Sequence, residues 1–346
     1  MNDAIANMLD LLRRDGQVVD PQARLVPLSG GVSSEIYLVE DGSDKFVVKR
    51  ALPKLKVKDS WFADVNRNRN EAAYLRYVAS FRPQNVPRLR YVNEGHGYFC
   101  MEYLGEDCRN WKQLMLNGQC DLNVAAAAGD FLGTVHAHSS QDPAAAETFS
   151  NLRNFEQLRI EPYLLATARH HPALKNVIEA EAERLRSQRE VLTHGDFSPK
   201  NILVGENNIY VTDCEVAWYG DAAFDVAFLL NHLFLKSLVR PAQGNQWRTM
   251  VDQAWDSYVS ARFAERRSGE KACIEKTIPK LLLLLLLARV DGKSPVEYLT
   301  AERRGYVRAF AISRLPSKQM TMSSLRAEWF GTLQKVHGIP ERKQAL

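Results

Sequence analysis

Two rhythms divide this chain. Residues 1–14 read as a short helix, and from Arg24 to Arg50 the apolar positions take the spacing of strands. Segments 36–39 and 46–48 flank the turn cluster Glu40-Asp41-Gly42-Ser43-Asp44. Residues 68–80 then carry Ala72, Tyr74, Leu75 and Val78 at the three-and-four spacing of a helix face. Strands are expected again at 88–92 and 98–103, joined by Asn93-Glu94-Gly95-His96-Gly97, a hairpin signal. That order predicts a mostly antiparallel sheet with one inserted helix. After Tyr103 the rhythm turns helical, over an Ala-rich segment at 123–138, most of 154–186, and nearly everything from Phe224 onward. A short hairpin, 202–204 and 209–212 about a turn at 205–208, interrupts it. The change falls near 104–107, with Gly105 as a pivot. The expected organisation is α+β in two lobes: 1–104, with residues 1–20 as a leading helix, and 105–346.

Composition narrows the class. The chain has 346 residues, 45% apolar and 25% charged, as an ordinary soluble globular protein has. The longest apolar run, 281–288, is all leucine from 281 to 287. It is far short of the ~20 residues that span a bilayer, so a helix buried on all sides is expected and no membrane partner. The first residues lack an apolar signal region. Five cysteines, an odd number with no Cys-x-x-Cys pair, suggest neither a disulfide framework nor a zinc site, and a reducing cytoplasm fits. Residues 226–346 hold 20 Lys/Arg against 10 Asp/Glu, whereas the rest is net −6. That basic third suits an anionic ligand or a plain solvated surface. Its cations are scattered without interleaved aromatics, so nucleic acid is not expected as a partner.

The chemistry concentrates at 193–225. The run Thr193-His194-Gly195-Asp196-Phe197-Ser198-Pro199-Lys200-Asn201 is followed, past the hairpin, by Asp213-Cys214-Glu215. Asp196 precedes Asn201 by five residues, the interval of the kinase catalytic loop. Asp196 is the expected catalytic base toward an acceptor hydroxyl. Asn201, Asp213 and Glu215 are the expected oxygen ligands for Mg²⁺. On extended backbone, residues 213 and 215 would point to the same side. His194 reads as support for the loop, bonded to backbone, rather than as a base.

A second set lies upstream. Lys49 ends the apolar run 46–48, where a lysine can meet ATP phosphates, and Glu71 on the following helix is its expected partner. Ser29, Gly30, Gly31 and Ser33, between the first two strands, can bring backbone N–H groups and hydroxyls to phosphate, though the stretch also reads as a simple turn. Glu102, Tyr103 and Leu104 end the sheet where kinase backbone groups pair with adenine.

These residues resemble those of the aminoglycoside phosphotransferase and choline kinase superfamily of protein-kinase-like small-molecule kinases. His194-Gly195-Asp196 with Asn201 matches its catalytic loop, and Gly133-Thr134-Val135-His136 is similar to its Leu-Gly-x-Leu-His signature. Within the superfamily the likeness is to the methylthioribose kinases. It is carried by Val48-Lys49-Arg50-Ala51-Leu52-Pro53 with Ser60-Trp61, by Asp213-Cys214-Glu215, and by Tyr219-Gly220 with Phe224-Asp225. Asn201 departs from that branch, whose loop usually lacks it, and the chain is shorter than its typical members. The resemblance implies a protein-kinase-like bilobal fold, a small antiparallel sheet lobe plus a larger helical lobe, with ATP and Mg²⁺ as cofactors. It implies Arg289, Arg303 and Arg304 as candidates for the branch's paired substrate arginines. No long activation segment follows Asp225, so a small-molecule hydroxyl acceptor is expected rather than a peptide. Choline, homoserine and aminoglycoside types stay open as acceptors, as does a nucleotide-binding scaffold without turnover. A net +10 over residues 226–346 argues against polycationic aminoglycosides.

Overall fold

A computed structural model describes residues 3–28, 33–54, 63–264, 268–317 and 320–336. Five strands, β1 (Arg24–Pro27), β2 (Ser34–Asp41), β3 (Asp44–Ala51), β4 (Leu89–Asn93) and β5 (Tyr98–Glu102), form one antiparallel sheet in the order β1-β2-β3-β5-β4. The strand period of two gives β3 two different faces. Phe46 and Val48 pack with Met8, Leu9, Leu11 and Leu12 of the helix Asp3–Arg14. Lys49, one residue out of phase, belongs to the face covered by the helix Arg67–Ala79. The expected strands, inserted helix and leading helix are all present, although β3 runs three residues past Val48 and the leading helix ends at Arg14, short of residue 20.

Beyond Gly105, whose φ of +83° suits a residue without Cβ, helices dominate. The helices Leu122–Ser139 and Gly244–Arg262 cross closely. A Cβ on Gly129 would lie 2.1 Å from the Ala254 carbonyl oxygen, and one on Gly133 2.6 Å from that of Tyr258. The seven leucines at 281–287 are all buried within the helix Ser268–Asp291. That helix packs on Ala222–Ser237, Ala301–Arg314 and Met322–Val336. Among the described residues no single helix is long and apolar enough to cross a membrane.

Five very short strands position the chemistry. β6 (Arg109–Asn110), β8 (Ile202–Val204) and β9 (Ile209–Val211) form one small sheet, and β7 (Val191–Thr193) pairs with β10 (Trp218–Gly220). Thr193 is opposite Trp218 and Ile202 opposite Val211. The segments 194–201 and 212–217 are therefore clamped at both ends and laid side by side. The β8–β9 hairpin matches the sequence reading, whereas β7 and β10, three residues each, carry no periodic signal. The expected helix over 154–186 is interrupted. It contains a π-helical stretch, Glu156–Leu165, with Pro162 inside it, and a break before Pro172.

Candidate active site

The two clamped loops and the β3–helix face meet at one cluster. Lys49 Nζ lies 2.7 Å from Glu71 Oε2 and 2.6 Å from Asp213 Oδ1. Burial pulls the Lys49 pKa down, but the carboxylates of Asp213 and then Glu71 outweigh it, so the ammonium is held above its ordinary range. Burial likewise works to raise Asp213, and Lys49 with Lys200 overrides it, keeping that carboxyl ionised well into acid. Glu71, fully buried, is pushed up by burial, with Lys49 offsetting part of the effect.

Glu215 faces the same cluster. One carboxylate oxygen from each of Glu71, Asp213 and Glu215 lies within 4.8 Å of the others. The extended-backbone reason offered for this convergence does not hold, because Asp213 has φ +62°. A left-handed residue turns the chain, and the following turn brings Glu215 back. Glu215 is also held by a cation the sequence reading missed. Arg67, four residues before Glu71 and so on the same helix face, donates Nε to Glu215 Oε2 at 2.9 Å. The remaining donors of Arg67 bond the carbonyls of Ser33, Leu52 at 2.6 Å, Ala63 and Asp64. Arg67 thereby ties Glu215 to Ser33, the end of the Ser-Gly-Gly stretch. Ser29, Gly30 and Gly31 lie outside the described residues.

Asp196 sits across the cluster. Its Oδ1 is 2.8 Å from Arg159 Nη2 and its Oδ2 2.8 Å from Lys200 Nζ. Asn201 Nδ2 donates to the Asp196 carboxylate and to its carbonyl, both at 2.9 Å, which leaves the Asn201 side-chain oxygen as the atom free to turn elsewhere. Burial raises the Asp196 pKa, but Arg159 and then Lys200 outweigh it and hold the carboxyl below the usual range. Arg159 comes from the π-helical stretch. A charged residue between Leu158 and Ile160 was the only sequence signal for it.

The loop is anchored from below. Both ring nitrogens of His194 are engaged, Nδ1 accepting from the Asp196 N–H at 3.1 Å and Nε2 meeting the Thr212 carbonyl at 3.1 Å. Burial holds its pKa down against the pull of Asp225, so the ring is neutral. That is the supporting geometry expected of it. Gly195 has φ +72°, and a Cβ there would lie 2.6 Å from the Val216 carbonyl oxygen, so only glycine fits. Asp225, fully buried, accepts from the N–H groups of His194 at 2.6 Å and Gly195 at 2.9 Å. His136 Nε2 lies 3.5 Å from Asp225. The Gly133–His136 signature thus has a physical reading: the glycine admits a close helix crossing, and the histidine backs the aspartate that holds the loop.

The remaining expected residues are more dispersed. Glu102 N–H bonds the Arg88 carbonyl at 2.9 Å, so its donor is used within the sheet, and Tyr103 and Leu104 follow just past the sheet edge. Arg289 Nη1 bonds Tyr163 Oη at 3.1 Å, and Tyr163 stands beneath the Arg159 guanidinium. Arg304 donates to the Val296 carbonyl at 3.0 Å. Arg303 donates its backbone N–H to the Thr300 cap. Among the described residues neither Arg303 nor Arg304 bonds Asp196.

Residues 24–266 match the family described as "Phosphotransferase enzyme family". A methylthioribose kinase of Pectobacterium atrosepticum is 28% identical over 317 residues, covering 80% of this chain and 79% of that one. One of Bacillus velezensis is 26% identical over 280 residues, covering 71% and 69%. Among solved structures, a choline kinase from Cryptosporidium parvum Iowa II has a TM-score of 0.56 at 12% identity, covering 95% of this chain and 98% of that one. A microcompartment-associated aminopropanol kinase has 0.53 at 16%, with 95% and 98% covered. These structural likenesses show the protein-kinase-like fold, and the matched span contains Lys49, Glu71, Arg159, Asp196 and Asp213. The chain belongs to the phosphotransferase enzyme family and is a small-molecule kinase.

Proposed function

We propose that this protein transfers the γ-phosphoryl group of ATP to a hydroxyl of a small, sugar-like acceptor of the methylthioribose type. The observation that carries the reading is the meeting of Lys49, Glu71 and Asp213 on one side with Asp196 and Asn201 on the other. Residues 1–104 would hold the nucleotide and residues 105–346 the acceptor. Lys49, oriented by Glu71, would position the phosphates, and the backbone of Tyr103 and Leu104 would meet the adenine edge. Asp196, kept ionised by Arg159 and Lys200, would orient the acceptor hydroxyl and accept its proton.

The residues fit Mg²⁺, which prefers oxygen ligands. Asp213 and the side-chain oxygen of Asn201 would hold it. Glu215, already paired with Arg67, would sit behind them and bond its waters. When bound, the ion supplies charge neutralisation between the phosphates. The protein's own contribution is placement: two loops clamped by strand pairs, with Asp225 and His194 fixing the backbone of Asp196. The methylthioribose type rests on the curated relatives, which span most of the chain.

The test is Mg²⁺-dependent ATP consumption by the purified protein across methylthioribose, other deoxypentoses, choline, homoserine and aminoglycosides. Saturable turnover with a deoxypentose is expected. Turnover confined to aminoglycosides or choline would sink the sugar-like reading.

A further inference from the structure

Basic side chains gather on the far side of Asp196, beyond ion-pair reach of any carboxylate among the described residues. The helix Ala222–Ser237 carries Asp225, Phe228, His232 and Lys236 along one face. Asp225 holds the catalytic loop. The Arg159 guanidinium, bonded to Asp196, lies over the Phe228 ring at 5.4 Å. His232 packs on Phe228 and sits about 6 Å further along the helix axis. Lys236 Nζ is 3.5 Å from His232 Nδ1 and 5.1 Å from the Tyr298 ring centroid. Arg289 reaches the same neighbourhood through Tyr163, its Nη1 also donating to the Ser294 carbonyl and, at 2.8 Å, to the Ser294 hydroxyl, so that its Nε is the donor left over.

All three are buried, Lys236 to 1% exposure. Among the described residues none has a carboxylate within ion-pair reach. The nearby acid, Glu297, is an exposed group taken by Lys112. Arg289 Nε and the Tyr298 hydroxyl are buried without a hydrogen-bond partner. Buried charges are ordinarily paired, and an unpaired one is costly. Burial, then Lys112 and Arg289, push the Lys236 pKa well below its ordinary range. Burial, then Lys236 and Arg289, do the same to His232. A merely structural position would be filled by an apolar side chain at lower cost. Convergent cations and unsatisfied donors, next to a loop that receives a hydroxyl, fit a ligand that brings the missing negative charge.

We propose that His232, Lys236 and Arg289 form a subsite for a carboxylate or phosphate group on the acceptor, at the end remote from the hydroxyl that meets Asp196. This rests on the kinase reading and departs from its uncharged methylthioribose type: the acceptor would be a sugar-like molecule that carries an acid group. Arg289 lies beyond the span matched to the family, so the subsite joins the matched region to the C-terminal helices.

Two measurements on the full chain test it. In the first, protein loaded with Mg²⁺ and a non-hydrolysable ATP analogue, so that the nucleotide's phosphate positions are filled, is titrated calorimetrically with inorganic phosphate and with acetate. Saturable binding of at least one anion is expected, weakened roughly tenfold or more in Lys236→Met and in Arg289→Met. In the second, ATP turnover is compared for ribose, ribonate and ribose 5-phosphate. An anionic member should have the lower KM, with that advantage lost in both variants, and the preferred member tells carboxylate from phosphate. The ligand-free Lys236→Met protein should melt at a higher temperature than wild type, which shows it folded and separates a binding role from a structural one. Absent anion binding, or binding equal in wild type and both variants, overturns the subsite. So does turnover of ribose alone with KM unchanged in the variants, and then the kinase reading stands. Variant-sensitive anion binding without phosphorylation of any acceptor keeps the subsite and removes the kinase reading.

Discussion

Lys49 and Lys236 are buried to the same depth, 2% and 1% exposed, and stand in opposite surroundings. Lys49 touches two carboxylates, and its ammonium is held above its ordinary pKa. Lys236 touches a histidine and an aromatic ring, and its ammonium is pushed well below. Depth of burial therefore says little about what a buried cation does; its partners decide. Around Lys49 the charges are balanced within the protein, as suits the role proposed for it, to keep one geometry before ATP arrives. Around Lys236 the balance is incomplete, as suits a residue whose partner comes from outside. Asp196, between Arg159 and Lys200, stands where the two regimes meet.

Removing that meeting point should have the largest effect. Asp196→Asn is expected to lower kcat by about 10²–10⁴-fold, the range for a positioned acid–base group, with ATP affinity nearly unchanged. Steady-state kinetics with the acceptor found in the metabolite screen reads this directly, and full retention of kcat would remove Asp196 from the chemistry. Next comes the balanced side. Lys49→Met leaves Glu71 and Asp213 facing each other in a buried site, and loss of one partner from a buried pair costs about 3–5 kcal/mol. Urea denaturation measures it. A variant as stable as wild type would mean that the carboxylates are held by something other than Lys49.

The border between the regimes is set by Arg159. Its guanidinium and Lys200 hold the Asp196 carboxyl below the usual range against burial. The acid limb of kcat/KM due to Asp196 should therefore lie below the ordinary carboxylate pKa. In Arg159→Met, burial is opposed by Lys200 and the Asn201 amide without the guanidinium, and the Asp196 pKa rises. The limb should move to higher pH by about 1–3 pH units. A pH–rate profile that does not move would assign the limb to another group.

Legibility from sequence followed the same division. Lys49, Glu71, Asp196, Asn201 and Asp213 were readable as candidates because each sits at a fixed interval in a loop, strand or helix whose pattern is local. The sheet was readable because alternation repeats over several residues. Arg67, Arg159 and Asp225 act by reaching across the fold: Arg67 bonds Glu215, Arg159 bonds Asp196, and Asp225 bonds the backbone of His194 and Gly195. Nothing in their own neighbourhoods announces those partners. Asp225 stood within a recognisable segment, yet its role depends on where β7 ends. Convergence of 213 and 215 was foreseen for the wrong reason, because a left-handed Asp213 cannot be told from an extended one by spacing. Lys236 was invisible for a further reason. One lysine near the end of an apolar helix reads as a solvated terminus, and only packing against Tyr298 and the 281–287 leucine helix shows that it is enclosed.

Lys236→Met is the smallest expected effect and the one that most sharpens the contrast with Lys49→Met, because its sign is opposite. Removing a buried polar group that lacks a proper partner should stabilise the ligand-free protein by about 1–3 kcal/mol. The gain should depend on pH in a defined direction. Unfolded, the lysine titrates near its ordinary pKa of about 10.4. Folded, it titrates lower, through burial and the cations of Lys112 and Arg289, with His232 beside it and Glu297 opposing them. Between those two values the unfolded chain binds more protons, so wild-type stability rises with pH across that window. The stability difference between Lys236→Met and wild type should therefore be large near neutral pH and shrink as the pH approaches 10. Thermal melts of both proteins from pH 7 to 10 measure it. A variant less stable than wild type at pH 7, or a difference independent of pH, would show that Lys236 finds its counter-charge within the protein after all, as Lys49 does.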